Sequence, residues 1–224
     1  MTGEYRRAIA VAGHAVLRDE RAPALDESWF LLPYQQGEAA CIVEHVRAAV
    51  LAAAEDPAAL LIFSGGATRP AAGPRTEALS HWLVAEAHEW FGRAEIRDRA
   101  LTEEFARDSF ENLLLGVCRF KEYAGAWPLH LTLVSWAFME ERFHLHREAC
   151  RWPRERFAYL GPNDPPQREQ ALLSEAAARD RYRADPYRSG PFFRAKRDER
   201  NSQRRRHAFH YPRGGLKSSP AEVK

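Results

Sequence analysis

Three things that the sequence lacks narrow the classes of protein to which it can belong. No apolar run approaches the ~18 residues that a membrane helix requires. The first apolar stretch is broken by Gly13, His14 and Arg18, which argues against a secretory signal. The three cysteines show no CxxC spacing, so neither a zinc motif nor a disulfide framework is indicated. We therefore expect a cytoplasmic protein without membrane contact.

Familiar catalytic signatures are also missing. Ser64-Gly65-Gly66 is followed neither by the Gly-Lys-Ser/Thr of a P-loop nor by the third glycine of GxGxxG, and it lacks the GxSxG spacing of a nucleophile elbow. His144 and His146 are two residues apart, so they face different sides of a helix and cannot form a metal pair of the HExxH kind. We interpret them as scattered surface histidines or locally bonded ones.

The charges of the chain are unevenly distributed, although the net charge is only +2. Residues 1–187 carry 22 Lys/Arg and 28 Asp/Glu, whereas residues 188–217 carry ten Lys/Arg and two acids. Such a basic tail either folds back onto the acidic body or binds an anionic partner. Nucleic acid is not favoured, because no known binding module accompanies the arginine run at 204–206 or the interleaved aromatic residues Phe192, Phe193, Phe209 and Tyr211.

What the sequence does contain is an alternation of strand and helix patterns. Short apolar runs predict strands at 8–12, 60–63, 96–101, 129–134 and 157–160, and helical periodicity predicts helices at 36–54, 76–91, 108–120, 140–151 and 167–183. The alternation predicts an α/β, Rossmann-like doubly wound fold, with a mostly parallel sheet of about five strands and helices on both faces.

The chain divides into two regions by composition. We predict an α/β domain at 1–162 and, at 163–224, an extension that is helical and then basic and irregular and that packs on the same domain. In the helix at 76–91, we expect the inner face to be made by Leu79, Trp82, Leu83, Trp90 and Phe91.

Ligands of an open parallel sheet bind outside the carboxyl ends of its strands. The first predicted strand delivers His14 to that edge, and the second delivers Ser64, Gly65 and Gly66. The glycine N–H groups and the Ser64 hydroxyl have the chemistry to cradle an anion. A tight turn that leaves a buried strand is the alternative interpretation.

Further polar residues follow the other strands, and each has a structural alternative. Glu77 either faces a ligand or complements the dipole of its helix. Asp108 and Glu111 have the spacing of a capping box, whereas Asn112 is a poor helix former placed to bond a ligand. The fourth strand delivers Ser135 and Trp136, followed by Arg142, whose guanidinium suits a phosphate or carboxylate.

Taken together, these segments resemble the YdcF-like family, a domain of unknown function that the bacterial SanA and ElyC envelope proteins share. The matching segments are FSGG at 63–66, GPRTEA at 73–78, ARDSFEN at 106–112, and VSWAF at 134–138 with RF at 142–143. The likeness to a cytosolic, eukaryote-like branch extends to Gly13-His14, Trp29 and Gln36, and in the tail to DPY at 185–187, KRDERN at 196–201, Arg205 and His207.

The resemblance implies a Rossmann-like fold with a polar cleft that binds S-adenosylmethionine or another nucleotide-like ligand. Bacterial members often carry a histidine where Met139 stands here, so a catalytic histidine at that position is not carried over. The membrane segments of SanA and ElyC are also missing, and an envelope role does not transfer.

Two hypotheses follow. In the first, the protein binds a small anionic or nucleotide-like ligand, as a binder or as a transferase or hydrolase, with the carboxylates acting in acid–base chemistry or holding a divalent cation. In the second, it is a non-catalytic interaction protein whose basic tail recruits an acidic partner or RNA.

Overall fold

A computed structural model describes residues 5–203, and residues 1–4 and 204–224 lie outside the described part of the chain. The strands are β1 (Arg7–Ala12), β2 (Val16–Leu17), β3 (Trp29–Phe30), β4 (Ala59–Ser64), β5 (Ala100–Glu103), β6 (His130–Val134) and β7 (Phe157–Leu160). The α-helices are α1 (Ala39–Ala54), α2 (Glu77–Ala87), α3 (Ser109–Ala124), α4 (Glu140–Ala149), α5 (Arg168–Ala184) and α6 (Pro191–Glu199).

Five strands form one parallel sheet in the order β5-β4-β1-β6-β7. The chain therefore builds outwards from β1 on one side and then returns to build on the other, which is the doubly wound topology. All six residues of β4 are buried, as expected for a parallel strand with helices on both faces. The predicted Rossmann-like α/β fold is confirmed. The short strands β2 and β3 pair separately as an antiparallel ribbon.

The helices lie in two layers against this sheet. Helices α1 and α2 pack on each other and on β4, whereas α3 packs on β1 and β4 and also contacts α4. Two N-caps fix the starts of α2 and α3: the Thr76 hydroxyl accepts from the Leu79 N–H, and the Asp108 carboxylate accepts from the Glu111 N–H. These caps hold the first turns of both helices at the carboxyl edge of the sheet.

Helix α2 differs from its predicted form. It ends at Ala87, because Glu89, Trp90 and Phe91 adopt positive φ angles of 49°, 54° and 53° and cannot continue an α-helix. The fully buried residues of α2 are mainly small ones and His81. Of the predicted inner face, Trp90 is buried and Trp82, Leu83 and Phe91 pack against the core, whereas Leu79 is 37% exposed. The predicted strand at 96–101 is likewise shifted, to Ala100–Glu103.

The segment after β7 is more regular than the sequence indicated. Pro191 begins helix α6 instead of interrupting an irregular tail, since proline is well accommodated in a first helical turn. The turn before α6 is closed by the Asp185 carboxylate, which accepts from the N–H groups of Ser189 and Gly190 at 3.0 and 2.7 Å. None of the helices within residues 5–203 is both long enough and apolar enough to cross a membrane. The three cysteines are free thiols.

Candidate functional site

A cleft of about 620 Å³ opens where the strand order reverses between β1 and β6. This is the topological switch point, at which doubly wound folds bind their ligands, and the volume falls in the range of small-molecule sites. Three residues at the ends of secondary-structure elements form its floor: His14 after β1, Glu77 at the start of α2 and Asn112 in the first turn of α3. Trp136 after β6 and Arg142 on α4 complete the inner wall. Six of the predicted site residues therefore meet in one cleft: His14, Glu77, Asp108, Asn112, Trp136 and Arg142.

The prediction that the groups of residues 64–66 bind an anion is wrong, because these groups form hydrogen bonds within the protein. The Gly65 N–H donates to the Glu103 carbonyl at 2.9 Å, and the Gly66 N–H donates to the Ala106 carbonyl at 2.6 Å. Ser64 is fully buried, with its hydroxyl 2.6 Å from Glu103 Oε2 and 3.2 Å from Asn112 Oδ1. All three groups therefore bond to protein, and this segment supports the cleft from below instead of contacting its contents.

The two glycines at strand ends have a steric role instead. A Cβ atom at Gly13 or Gly65 would stand 2.6 Å from the Cβ of Glu77. Glycine at both positions lets Glu77 lie directly against the ends of β1 and β4. Glu77 is only 5% exposed, and burial raises the pKa of its carboxyl group, although Thr68 donates a hydrogen bond to Oε1.

His14 is partly buried at the centre of the floor. Its Nε2 is 3.2 Å from the hydroxyl of Ser135, a fully buried residue behind it, and its ring packs against Trp136 with centroids 5.5 Å apart. Burial, together with the nearby His45 and other basic groups, lowers the pKa of His14 well below its ordinary value. The imidazole is therefore neutral at pH 7.

Asp108 and Glu111 are held by arginines. Both oxygens of Asp108 accept from Nη1 of Arg188, at 2.5 and 2.6 Å, and this guanidinium holds the pKa of the buried carboxyl below its ordinary value. Glu111 pairs with Arg107 at 3.0 Å and accepts from the N–H of Arg107 instead of that of Asp108. The expected N-cap is confirmed, whereas the reciprocal half of the capping box is wrong, because Glu111 turns one residue further back.

Arg142 is also committed within the protein. Its Nε donates to Glu175 Oε1 at 3.0 Å, and its Nη2 bonds to the other oxygen of the same carboxylate. Glu175 lies on α5 and is 1% exposed. The predicted anion-binding arginine therefore ties α4 to α5 and contributes to the cleft as half of an ion pair.

Four cations of the cleft form no ion pair with any residue in 5–203, and none of them is among the predicted ligand-binding residues: Arg69, Arg181, Lys196 and Arg200. Arg69 is held by the His14 carbonyl and Gln35 Oε1, each at 3.1 Å, and its buried Nε has no hydrogen-bond partner in the described structure. Arg200 donates to the Arg107 carbonyl at 3.1 Å. Lys196 and Arg200 belong to the basic stretch at 188–217, and that excess of positive charge was the signal for these two residues.

Burial and the proximity of Arg200 lower the pKa of Lys196 to about 8, which leaves the ammonium group largely charged at pH 7. On the acidic side, burial raises the pKa of Glu38 to about 7, and its carboxylate accepts from Gln35 Nε2 at 3.1 Å. Burial also raises the pKa of Glu77. Six arginine and lysine side chains line the cleft, against four aspartate and glutamate side chains. The cleft is therefore electropositive.

The outer wall of the cleft comes from residues 167–200. Tyr182 on α5 is 2% exposed and its hydroxyl lies 3.3 Å from the Ser109 hydroxyl. Its ring packs in an edge-to-face arrangement with His146 and at a tilt against Phe193 of α6. His146 is consequently a buried, locally bonded histidine, 2.9 Å from Ser109 Oγ. The basic residues at 188–200 largely face the body. The run at 204–207, with Phe209 and Tyr211, lies outside the described residues.

The described residues provide no evident binding site for a divalent cation. Within residues 5–203, no group of three or more histidine, cysteine, aspartate or glutamate side chains has the arrangement of a metal site. The Asp108 and Glu111 carboxylates, which were candidates for this role, are engaged by guanidinium groups instead.

A comparison with known proteins identifies a relative in yeast. The chain is similar to the uncharacterised protein YOR238W of Saccharomyces cerevisiae, with 25% identity over 204 residues that cover 70% of this chain and 67% of the yeast protein. No family model matches, and no solved structure matches. The name of the yeast protein states no activity, and the YdcF-like resemblance stays a prediction.

Proposed function

We propose that the protein binds a small anionic, nucleotide-like ligand in the cleft at the switch point. The observation that carries this proposal is the set of four basic side chains there without an acidic partner in residues 5–203: Arg69, Arg181, Lys196 and Arg200. Arg69, Lys196 and Arg200 are partly buried, whereas Arg181 is exposed. Keeping partly buried cations without counter-charges is costly. A bound anion supplies the missing charge, and several N–H donors around one phosphate or carboxylate give strong, charge-assisted hydrogen bonds.

The aromatic residues of the cleft favour a ligand with a planar group. Tyr34 is 62% exposed at the rim, and Phe138 is half-buried on the side of β6. Aromatic rings of this kind stack on nucleobases. A purine or pyrimidine at the rim with phosphates toward Arg69 and Arg200 satisfies both features. S-adenosylmethionine, which the YdcF-like resemblance predicts, belongs to the same size class.

The test is calorimetric titration of the purified protein with ATP, ADP, AMP, S-adenosylmethionine and inorganic phosphate. We expect saturable binding of at least one nucleotide. In Arg69→Ala and Arg200→Ala, that binding should weaken by roughly ten- to a hundredfold each, because a hydrogen bond to a charged group contributes about 1.5–3 kcal/mol.

Arg93→Ala is the matched control, since Arg93 is exposed and lies outside the cleft. Its affinity should equal that of the wild type. Absence of binding across the whole panel, or equal losses in Arg93→Ala and Arg69→Ala, contradicts the proposed function.

A further inference from the structure

One ring nitrogen of His14 is open to the cleft. Nε2 is engaged with Ser135 Oγ, whereas Nδ1 has no hydrogen-bond partner in residues 5–203 and is not enclosed. With the proton on Nε2, the ring donates to Ser135, whose hydroxyl in turn donates to Met139 Sδ at 4.0 Å. This arrangement leaves the lone pair of Nδ1 directed at the contents of the cleft, and Ser135 is a positioning residue for the ring.

One carboxyl oxygen of Glu77 is similarly available. Oε1 is held by Thr68, whereas Oε2 has no partner in the described structure and lies against the backbone of Gly13 and Gly65, where a Cβ atom would come within 2.8 and 2.7 Å of it. Glu77 also makes no ion pair among these residues, although Arg69 and Arg200 are near enough to influence it. Glu77 therefore lies against the ends of β1 and β4, and Gly13, which it contacts, immediately precedes His14. No hydrogen bond or ion pair within residues 5–203 uses its oxygen Oε2.

We infer that His14 and Glu77 are the general base and the general acid of a hydrolase that acts on phosphate esters or anhydrides. The inference rests on the proposed function, because the unpaired cations of the cleft must hold the phosphoryl group. A general base and a general acid that act at one site need surroundings that shift their pKa values, so that one group is deprotonated while the other is protonated. Here a neutral imidazole and a buried carboxyl group meet that requirement.

The reaction balances without any further reactant. His14 Nδ1 takes one proton from water as the water oxygen forms a bond to phosphorus. The bond from phosphorus to the leaving oxygen breaks, and that oxygen takes the proton of Glu77 Oε2. Solvent then returns the proton from the imidazolium to the carboxylate. The products are inorganic phosphate and an alcohol or a shortened phosphate chain.

Several charged groups surround these two residues and affect their titration. His14 faces His45 of α1, His81 of α2, Arg142 of α4 and Arg200 beyond α6. The two guanidinium groups disfavour a positive charge on His14, whereas burial lowers the pKa of His45 to about 4 and that of His81 to about 3, so both are neutral near pH 7. A bound phosphoryl anion offsets this effect. The imidazole therefore becomes a competent base only in the complex, which couples proton transfer to ligand binding.

The experiment follows phosphate release from p-nitrophenyl phosphate, phenyl phosphate and ATP. We expect the wild type to hydrolyse at least one of them. His14→Ala should lower kcat by about 10²–10⁴-fold and regain part of it when free imidazole is added. Glu77→Gln should slow phenyl phosphate far more than p-nitrophenyl phosphate, because nitrophenolate leaves without protonation.

Matched controls are His130→Ala and Glu95→Gln, which alter exposed residues outside the cleft and should leave the rates unchanged.

Calorimetry with inorganic phosphate separates this inference from the proposed function. If the wild type binds phosphate or nucleotides but hydrolyses none of the three compounds, the acid–base assignment is wrong and the proposed function stands. Equal slowing of both aryl phosphates in Glu77→Gln overturns the acid role, and full activity in His14→Ala overturns the base. If the wild type binds none of these ligands, both proposals fail.

Discussion

The Ser64 hydroxyl lies within hydrogen-bond distance of two acceptors, Glu103 Oε2 and Asn112 Oδ1, yet it has a single proton to donate. A protonated Glu103 resolves this conflict. Its own proton goes to Ser64, the Ser64 proton goes to Asn112, and Glu103 Oε1 accepts from the N–H groups of Phe105 and Ala106 at 2.7 and 3.2 Å. Burial raises the pKa of Glu103 from 4.5 to about 7, in agreement with this network.

Glu103→Gln tests that state. The folded protein holds the proton up to about pH 7, whereas the unfolded chain releases it near pH 4.5. The contribution of Glu103 to stability is therefore fully present below about pH 4.5 and is lost as the pH rises through about 7. Glutamine keeps the neutral form at every pH. The variant should gain up to about 3 kcal/mol in free energy of unfolding, relative to wild type, between pH 4 and pH 8, as measured by urea denaturation.

Glu95→Gln, an exposed site, should show no such trend. A pH-independent difference between Glu103→Gln and wild type would mean that Glu103 is ionised in the folded protein.

At the scale of elements, the C-terminal helices are joined to the body by buried charges. Arg188 is 6% exposed, pairs with Asp108 and stacks over Phe110 with its guanidinium carbon 4.0 Å from the ring centroid. Arg197 of α6 lies 3.8 Å from Glu111. Because Asp108 also caps α3, these contacts connect the start of α3 to the segment that supplies Lys196 and Arg200 to the cleft.

Arg188→Met should lower the free energy of unfolding by about 3–5 kcal/mol, because it leaves the buried Asp108 carboxylate without its partner. Chemical denaturation measures the change. The double variant Arg188→Met, Asp108→Asn should recover part of the loss, since asparagine caps a helix without a charge.

Arg194→Met serves as the control, because Arg194 is an exposed residue of α6. A loss below about 1 kcal/mol in Arg188→Met would show that the ion pair does not hold the segment in place.

At the scale of the whole molecule, the sheet topology assembles the cleft from distant parts of the chain. The ends of β1 and β6 diverge at the switch point, α2 and α3 direct their first turns into the gap, and α5 and α6 close the outside. The cleft is electropositive even though residues 1–187 are acidic overall. Its field concentrates anionic ligands at one position of the surface.

Binding should therefore depend on ionic strength. Raising the salt from about 0.1 M to about 1 M shortens the screening length from about 10 Å to about 3 Å. We expect the Kd for ATP to rise by roughly tenfold in calorimetric titrations of the wild type. The double variant Arg69→Ala, Arg200→Ala should show a shallower dependence. A salt-independent Kd would mean that the unpaired cations do not contribute to binding.

The sequence by itself determined the fold class, because continuous apolar strands alternating with helical periodicity leave few arrangements other than a doubly wound parallel sheet. It also predicted the edge of the sheet at which the cleft opens, and that rule alone identified His14 after β1 and Trp136 after β6, which line the cleft. The N-cap at Asp108 was equally local, since a cap depends on neighbours three residues away.

Only the tertiary structure decided which of those groups remain free to act. Ser64, Gly65 and Gly66 are satisfied by Glu103 and Ala106 across the sheet, and Arg142 is neutralised by Glu175 on α5. Lys196 and Arg200 enter the cleft from a segment far from the strand-end motifs, whereas Arg69 lies in the loop directly after β4. Hydrogen bonds and ion pairs form between residues that lie 30 or more positions apart, and their pairing follows from packing, which no local pattern encodes.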